Sequence, residues 1–190
     1  MAATQPIRDK QQVKQLVNYY MRRGQYRNHV LIVMSVYTAL RISDLLRLRW
    51  SEVYNFEKKQ VRSSITITEK KTGKSKTIAL NKNVKRALSK YMAKKQNILQ
   101  HEFIIQNPRT GKAISRIQAY RIIRAAGDAL GIGHFSCHSL RKTFGYHAWK
   151  TGVSPAVIME IYDHSSFSVT RRYLGVTQDD KDEVYLNICF

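Results

Sequence analysis

The sequence predicts a mainly α-helical protein with a small antiparallel β-sheet, an α+β fold class. Apolar residues recur at helical spacing along most of the 190 residues, which predicts several amphipathic helices. One stretch, residues 61–80, alternates apolar and polar residues on both sides of Thr72-Gly73, which predicts a β-hairpin. Hydrophobic residues make up 43% of the composition, enough to bury the core of one compact domain.

The helices before the hairpin are predicted in chain order. Asp9 is a suitable N-cap for a helix that runs to about residue 24. Residues 28–40 are apolar nearly all round, which predicts a helix buried at the domain centre that stops at Arg41. Ser43 is then expected to cap a short helix through Leu48.

The helices after the hairpin are predicted from capping residues and apolar stripes. The residue types that favour helix starts stand directly before apolar residues at helical spacing. The predicted starts are Asn81, Ser115, a position near His138, Ser154-Pro155 and Ser168.

The charge of the chain predicts a polyanionic partner. Lys and Arg number 33 against 13 Asp and Glu, a formal net charge of +20. Nucleic acid is the first candidate and an anionic membrane the second. The sequence has neither a long apolar span nor the layout of a signal peptide, so we predict a cytoplasmic protein without a membrane partner.

The sequence offers few residues for metal or thiol chemistry. Metal-dependent nucleases hold Mg²⁺ with converging carboxylates, yet the acidic residues here are few and isolated. Two cysteines, Cys137 and Cys189, form no C-x-x-C pair and are predicted to be reduced thiols. Without a metal, the charge that develops on a phosphodiester under attack must be met by Arg, Lys and His donors.

Such donors appear along the chain in a definite order. Arg41 stands where a buried helix meets a short one, and its planar fork suits a phosphate. His138 and Arg141 are three apart and project together from a helix. His164 precedes Tyr173 by nine positions. Taken singly, such an arginine is more often an ion-pair residue and such a tyrosine a packing residue.

Taken together, these segments resemble the tyrosine recombinase (phage integrase) family. The resemblance is carried by Ala-Leu-Arg-Ile-Ser-Asp at 39–44, Lys-Thr-Gly-Lys at 71–74, His-Ser-Leu-Arg at 138–141, Asp-His-Ser-Ser at 163–166 and Arg-Tyr-Leu-Gly at 172–175. It extends from about Arg8 to Gly175 and implies the fold of the family's catalytic domain.

The resemblance implies roles for six residues. Tyr173 would attack a DNA phosphodiester to give a 3′-phosphotyrosyl bond and a free 5′-hydroxyl. Arg41 and Arg141 would clamp the non-bridging oxygens, and Lys71 would protonate the departing 5′-oxygen. Because each broken ester is stored as a phosphotyrosine, neither ATP, a metal nor another cofactor is implied. Two histidines complete the set, with proton transfer at the tyrosine assigned to His138 and a hydrogen bond to the phosphate assigned to His164.

The lysine-rich hairpin leaves the choice of the catalytic amine open. Strand alternation is expected to send Lys70 and Lys71 to opposite faces, and Lys71 is preferred because it directly precedes Thr-Gly, as in the family. Lys74 and Lys70 remain alternatives. Contacts to DNA beyond the catalytic residues are predicted for Lys70, Lys74, Lys76, Arg116, Arg121 and Arg124.

The chain departs from the family pattern before His164. The family usually has Leu-Gly there, and this chain has Tyr162-Asp163. An acid at that position can pair with His164 or weaken the phosphate site, so activity is expected to be reduced. A further histidine, His147, lies on the same helix as His138 and is interpreted as a packing residue.

The predicted organisation is a catalytic domain over residues 1–177 and an acidic C-terminal tail helix over 178–190, with the N-terminal core-binding domain of larger members absent. The chain is then either a fragment of a longer integrase or one of the short forms. The tail can pack on a neighbouring protomer or fold back on its own domain. We expect a monomer in solution and a tetramer on paired DNA sites.

The predicted function is site-specific recombination or integration of DNA, as in a phage or mobile element. One alternative within the same chemistry is relaxation of supercoils like that of a type IB topoisomerase. The other is a basic DNA-binding protein without catalysis. Integration, excision, inversion and dimer resolution share this one chemistry.

Overall fold

A computed structural model describes residues 4–95, 97–133, 135–176, 180 and 185–187. Its longer helices are α1 (Lys10–Tyr19), α2 (Tyr26–Tyr37), α5 (Lys82–Lys94), α6 (Arg116–Ala129), α7 (Cys137–Lys150), α8 (Pro155–Tyr162) and α9 (Phe167–Leu174). Two short helices are α3 (Ile42–Leu45) and α4 (Trp50–Val53), and a 3₁₀ turn spans Met21–Arg23. The strands are β1 (Tyr54–Asn55), β2 (Gln60–Val61), β3 (Ser64–Thr68) and β4 (Ser75–Ala79).

Helix α2 lies at the centre of the molecule. Every residue from His29 to Val36 is buried, as the continuous apolar sequence predicts, and α1, α5, α6 and α7 pack around it. A second, smaller apolar cluster joins α8 and α9 to α7 through Ile158, Tyr162 and Leu174. This smaller cluster supports the helix that carries Tyr173.

The hairpin is formed by β3 and β4, which pair antiparallel with Ile65 opposite Ile78. Ile65 and Ile67 are buried while the intervening residues of β3 are exposed, so one face of the hairpin fixes its register. The strand ends at Thr68, and residues 69–74 form a turn beyond the paired strands. The turn holds Gly73 at φ +70°, a left-handed conformation that glycine adopts without strain.

Most predicted caps are confirmed. The side chains of Asp9, Asn81, Ser115 and Ser154 each accept a backbone N–H in the first turn of their helix. The prediction for Ser43 was wrong, because Arg41 is the N-cap of α3 and Ser43 lies within the helix.

Further details differ from the sequence predictions. Helix α1 ends at Tyr19 and a separate 3₁₀ turn follows, where one helix to about residue 24 was predicted. Helix α2 ends at Tyr37 rather than near residue 40, and α9 begins at Phe167, one residue before the predicted Ser168. Helix α4 and the pair β1–β2 were not predicted, because elements of two to four residues carry no periodic signal. The mainly α-helical fold class with small antiparallel sheets is confirmed.

Within the described ranges, no helix has the length and apolar character needed to cross a membrane.

Candidate active site

A cleft of about 420 Å³ collects the basic side chains of the site. It lies between the α2–α3 corner, the hairpin turn and the first turns of α6 and α7. Four of the six predicted catalytic residues line it together with Lys70 and Arg116, and these four are Arg41, Lys71, His138 and Arg141. Across the part of the chain that the structure describes, no group of three or more His, Cys, Asp or Glu is arranged to hold a metal ion.

Arg41 is held in place at the start of α3. Its Nη1 forms an ion pair with Glu69, whose side chain is fully buried. Its Nη2 donates to the carbonyl oxygen of Tyr162 at 3.4 Å. The side chain keeps 20% of its surface exposed, and it lines the cleft.

Arg141 is the more deeply buried arginine, with 3% of its surface exposed. It donates to the carbonyl oxygens of Ala39 and Tyr162, the second at 3.0 Å. Its guanidinium carbon lies 4.5 Å from the centre of the Tyr162 ring, and the Tyr162 hydroxyl donates to the Arg141 carbonyl at 2.5 Å. Burial and then the charge of Arg41 lower the pKa of Arg141, and both guanidinium groups donate to the same Tyr162 carbonyl.

Tyr173 and His164 meet edge to face beside this pair, with their ring planes 66° apart. Their ring centres are 4.6 Å apart, and the Tyr173 ring lies 5.3 Å from that of Tyr162. The Lys142 ammonium lies 5.5 Å from the Tyr173 ring centre. The structure therefore places the predicted nucleophile outside the cleft lining, next to the Tyr162 ring on which Arg141 stacks.

His164 is neutral at physiological pH. Burial, followed by the charges of Arg141 and Arg41, lowers its pKa to about 4. Its Nδ1 lies 3.0 Å from the hydroxyl oxygen of the buried Thr170. A neutral imidazole that accepts at Nδ1 carries its proton on Nε2, which is then available as a donor.

His138 stands at the start of α7, where it lines the cleft. Its backbone N–H donates to Ser136 in the capping box of the helix. Partial burial, then the charges of Arg141 and Lys142, lower the pKa of His138. A neutral imidazole at this place suits the proton acceptor that the sequence analysis assigned to it.

The four lysines predicted for catalysis or DNA contact at the hairpin divide into two pairs. Lys70 and Lys71 both line the cleft, contrary to the expectation of opposite faces, because β3 ends at Thr68 and neither residue lies on a strand. Lys74 and Lys76 are instead held by carboxylates: the Lys74 ammonium lies 2.7 Å from Asp163, and the Lys76 ammonium pairs with the buried Glu69.

Asp163 follows α8 in the left-handed conformation, with φ +52°. This backbone explains why glycine is usual at the position in the family pattern. Of the two expectations for this acid, pairing with His164 is not what the structure shows, since the carboxylate pairs with Lys74. The hydrogen bond from Lys74 lowers the pKa of Asp163.

The arginines of α6 are not equivalent. Arg116 lines the cleft and Arg121 is exposed, as the prediction of DNA contacts requires. Arg124 instead forms an ion pair with Asp128 at 2.9 Å and donates to the Phe135 carbonyl at 3.4 Å. His147, interpreted as a packing residue, bonds through Nε2 to the Ile7 carbonyl at 3.0 Å.

Glu69 is the site residue that the sequence analysis missed. It is 1% exposed and contacts two basic residues of the site. The alternation of Ile65, Ile67 and Glu69 places all three on the inward face of the hairpin, and this pattern was the available signal.

The predicted acidic tail helix over residues 178–190 lies largely outside the described residues. Asp180 forms an ion pair with Lys150 at 2.9 Å. Residues 185–187 are helical and exposed.

Comparison with known proteins gives the family. The model of the phage integrase family matches residues 8–179. The chain is 35% identical over 185 residues to the probable integrase/recombinase YoeC of Bacillus subtilis, covering 97% of each protein. It is 23% identical to the tyrosine recombinase XerC of Staphylococcus saprophyticus, covering 85% of this chain and 53% of XerC, so it spans about half the length of that relative.

Solved structures share the fold. The XerA recombinase superposes with a TM-score of 0.80 at 20% identity, over 100% of this chain and 68% of XerA. The XerH site-specific recombinase, in a post-cleavage complex with palindromic difH substrate, gives a TM-score of 0.76 at 16% identity, over 98% of this chain and 54% of XerH. The chain therefore belongs to the phage integrase family of tyrosine recombinases.

Proposed function

We propose that residues 1–177 form a catalytic domain that cuts and rejoins DNA site-specifically through a 3′-phosphotyrosyl intermediate on Tyr173. The observation that carries the proposal is the arrangement around Tyr162. Both arginines donate to its carbonyl oxygen, at 3.4 and 3.0 Å, and the Tyr173 ring packs on its side chain, 5.3 Å away. A phosphate in the cleft would thus meet fixed guanidinium groups, and the attacking phenol would approach from its place beside the Tyr162 ring, outside the cleft lining.

The two arginines would stabilise the negative charge that develops on the phosphate. A guanidinium carries five N–H donors, and each arginine uses part of its set on protein oxygens. The remaining donors can reach the non-bridging oxygens. Because these donors are already fixed, little reorganisation is needed as the transition state forms.

Proton transfer would accompany each bond change. In cleavage, the Tyr173 oxygen bonds to phosphorus while its proton passes to His138. The bond from phosphorus to the 5′-oxygen breaks as Lys71 donates a proton to that oxygen. Rejoining reverses both transfers with a 5′-hydroxyl as the nucleophile. Lys70 lines the same cleft and is the alternative donor.

His164 would contribute a neutral hydrogen bond. With its pKa at about 4 and Nδ1 beside the Thr170 hydroxyl, it offers Nε2–H to a phosphate oxygen.

The proposed partner is double-stranded DNA. The net charge of +20 and the XerH complex with difH substrate support it. We further propose that the protein acts in the cytoplasm, is monomeric when free and forms a tetramer on paired sites. Sedimentation with and without DNA tests the assembly, and a stable tetramer without DNA would contradict it.

Covalent trapping tests the chemistry. Duplexes from the DNA that flanks the coding sequence, nicked near candidate sites, are incubated with the protein in EDTA. The proposal predicts a covalent adduct that Tyr173→Phe abolishes and that wild-type protein forms only on particular sequences. Relaxation of plasmids that lack such sequences would favour the topoisomerase-like alternative, and salt-dependent binding without an adduct would favour the non-catalytic one.

A further inference from the structure

Glu69 is a buried carboxylate at the hairpin turn with three side-chain partners. Its Oε2 accepts from Arg41 and from the Thr72 hydroxyl, the latter at 3.1 Å. Its Oε1 accepts from the Lys76 ammonium. The side chain has 0% exposure, so solvent does not screen these contacts.

Two of the three partners of Glu69 belong to the site or directly adjoin it. Arg41 lines the cleft, and Thr72 directly follows Lys71, the proposed proton donor. A single carboxylate therefore contacts the phosphate clamp and the turn that carries the amine.

Two anchors fix the plane of the Arg41 guanidinium. Nη1 is bound by Glu69 and Nη2 by the Tyr162 carbonyl. An arginine held at two nitrogens has lost most of its rotational freedom before DNA arrives, so binding DNA need not order it. The remaining N–H groups of Arg41 are left for the cleft that it lines.

Glu69 is ionised in this setting. Burial alone would raise the pKa of its carboxyl, but the hydrogen bond and charge of Lys76 and the charge of Arg41 outweigh it, and the net pKa is lowered. Removing the carboxylate charge would leave two cations close together with no counter-charge, which frees Arg41 to move toward other partners.

We propose that Glu69 is a positioning residue for the cleavage step, acting by orienting Arg41 and the turn of Lys71. This inference rests on the proposed function, in which Arg41 clamps the scissile phosphate. Glu69 itself touches neither DNA nor the reacting atoms.

The test is single-turnover cleavage of the nicked duplex under saturating protein. Glu69→Gln keeps the size of the side chain and removes its charge. We expect a cleavage rate about 10- to 100-fold lower, with DNA affinity changed by less than about threefold. The split between rate and affinity separates positioning from a general loss of structure.

A double-mutant cycle assigns the effect to Arg41. In an Arg41→Ala background, Glu69→Gln is expected to lower the rate by less than about threefold further, because its target is already gone. Equal reductions in both backgrounds would overturn the inference. Lys76→Met, which removes the other cation on Glu69, is the matched control and is expected to lower the rate less than Glu69→Gln does.

Two checks keep the outcomes separate. Thermal unfolding reports whether Glu69→Gln is folded. If that variant is unfolded, Glu69→Asp is used in its place, because it retains the charge on a shorter side chain. Glu69→Asp is expected to cleave more slowly than wild type. Wild-type protein that forms no adduct would refute the proposed function and this inference with it. Wild-type cleavage that Glu69→Gln matches in rate would refute this inference alone.

Discussion

Lys74 and Asp163 join the tip of the hairpin to the corner that follows α8, with Nζ of the lysine 2.7 Å from Oδ1 of the acid. The acid directly precedes His164, and the lysine belongs to the basic turn beside the cleft. The family usually has glycine at this position. The aspartate found here therefore forms an ion pair with one of the hairpin lysines predicted to contact DNA.

Releasing this lysine is expected to strengthen DNA binding. Asp163→Asn keeps a residue that tolerates the left-handed backbone and removes the charge. If Lys74 then contacts one more phosphate, the slope of log K against log salt steepens by about 0.9. Titrations between about 50 and 200 mM salt measure it. The control is Asp163→Asn in a Lys74→Ala background, where an unchanged slope is expected; a slope that steepens equally there would contradict the role of Lys74.

The arginines of α6 are expected to differ in DNA binding. Arg116 lines the cleft and Arg121 is exposed, whereas Arg124 is engaged by Asp128 and the Phe135 carbonyl. Arg116→Ala and Arg121→Ala should each make the salt slope shallower by about 0.9, and Arg124→Ala should leave it unchanged. If Arg124→Ala made the salt slope as shallow as the other two variants do, the ion pair of Arg124 with Asp128 would have to open on DNA.

Protonation of His164 is expected to destabilise the fold as pH falls. The folded pKa of about 4 lies below the ordinary 6.5, so the unfolded chain binds the proton more tightly. Stability from this group is complete above pH 6.5 and is lost as the pH falls from 6.5 toward 4. The predicted loss of unfolding free energy between about pH 7.5 and pH 5 is on the order of 2 kcal/mol.

Urea unfolding at these two pH values checks the loss. His29, His138 and His147 also have lowered pKa values and add losses of the same sign. His164→Asn retains those three groups, so the pH dependence of this variant should be smaller than that of wild type by the His164 contribution. The same pH dependence in both proteins would contradict the assignment.

Because Gly145 has no side chain, the Tyr162 hydroxyl can pack against its backbone. A Cβ at this position would lie 2.4 Å from the hydroxyl oxygen and 2.9 Å from Cε2 of the fully buried ring. Gly145→Ala is therefore expected to lose about 1–3 kcal/mol of unfolding free energy and to displace Arg141, which stacks on that ring.

Chemical denaturation of Gly145→Ala, Tyr162→Leu and the double variant measures this coupling. Leucine lacks the ring that the added methyl group would meet, so the double variant should lose less than the sum of the two single variants. Strictly additive losses would show that residue 145 and the ring do not compete for the same space.

Local features of the fold were the ones that the sequence predicted well. A cap such as Asn81 and the alternation of β3 depend on neighbours within a few residues, so they can be seen in one sequence. The start of α3 was misplaced because Ser43, a good cap by type, is overridden by the packing that makes Arg41 the N-cap.

The sequence predicted which residues form the site better than it predicted the contacts between them. The ordered motifs named Arg41 and Arg141, which do line one cleft. The inward turn of Lys76 onto Glu69 and the shared carbonyl of Tyr162 depend on contacts across 7 to 121 positions, which periodicity does not report. The Arg124–Asp128 pair, four apart on a helix, is an exception that spacing alone reveals.

Mapping the covalent bond between protein and DNA tests the central claim most directly. The adduct formed in EDTA is digested with trypsin and nuclease, and the nucleotide-bearing peptide is identified by mass spectrometry. We predict a nucleotide joined through its 3′-phosphate to Tyr173, in the peptide that spans residues 173–181. A nucleotide on another residue, or a linkage through the 5′-phosphate, would contradict the proposed chemistry.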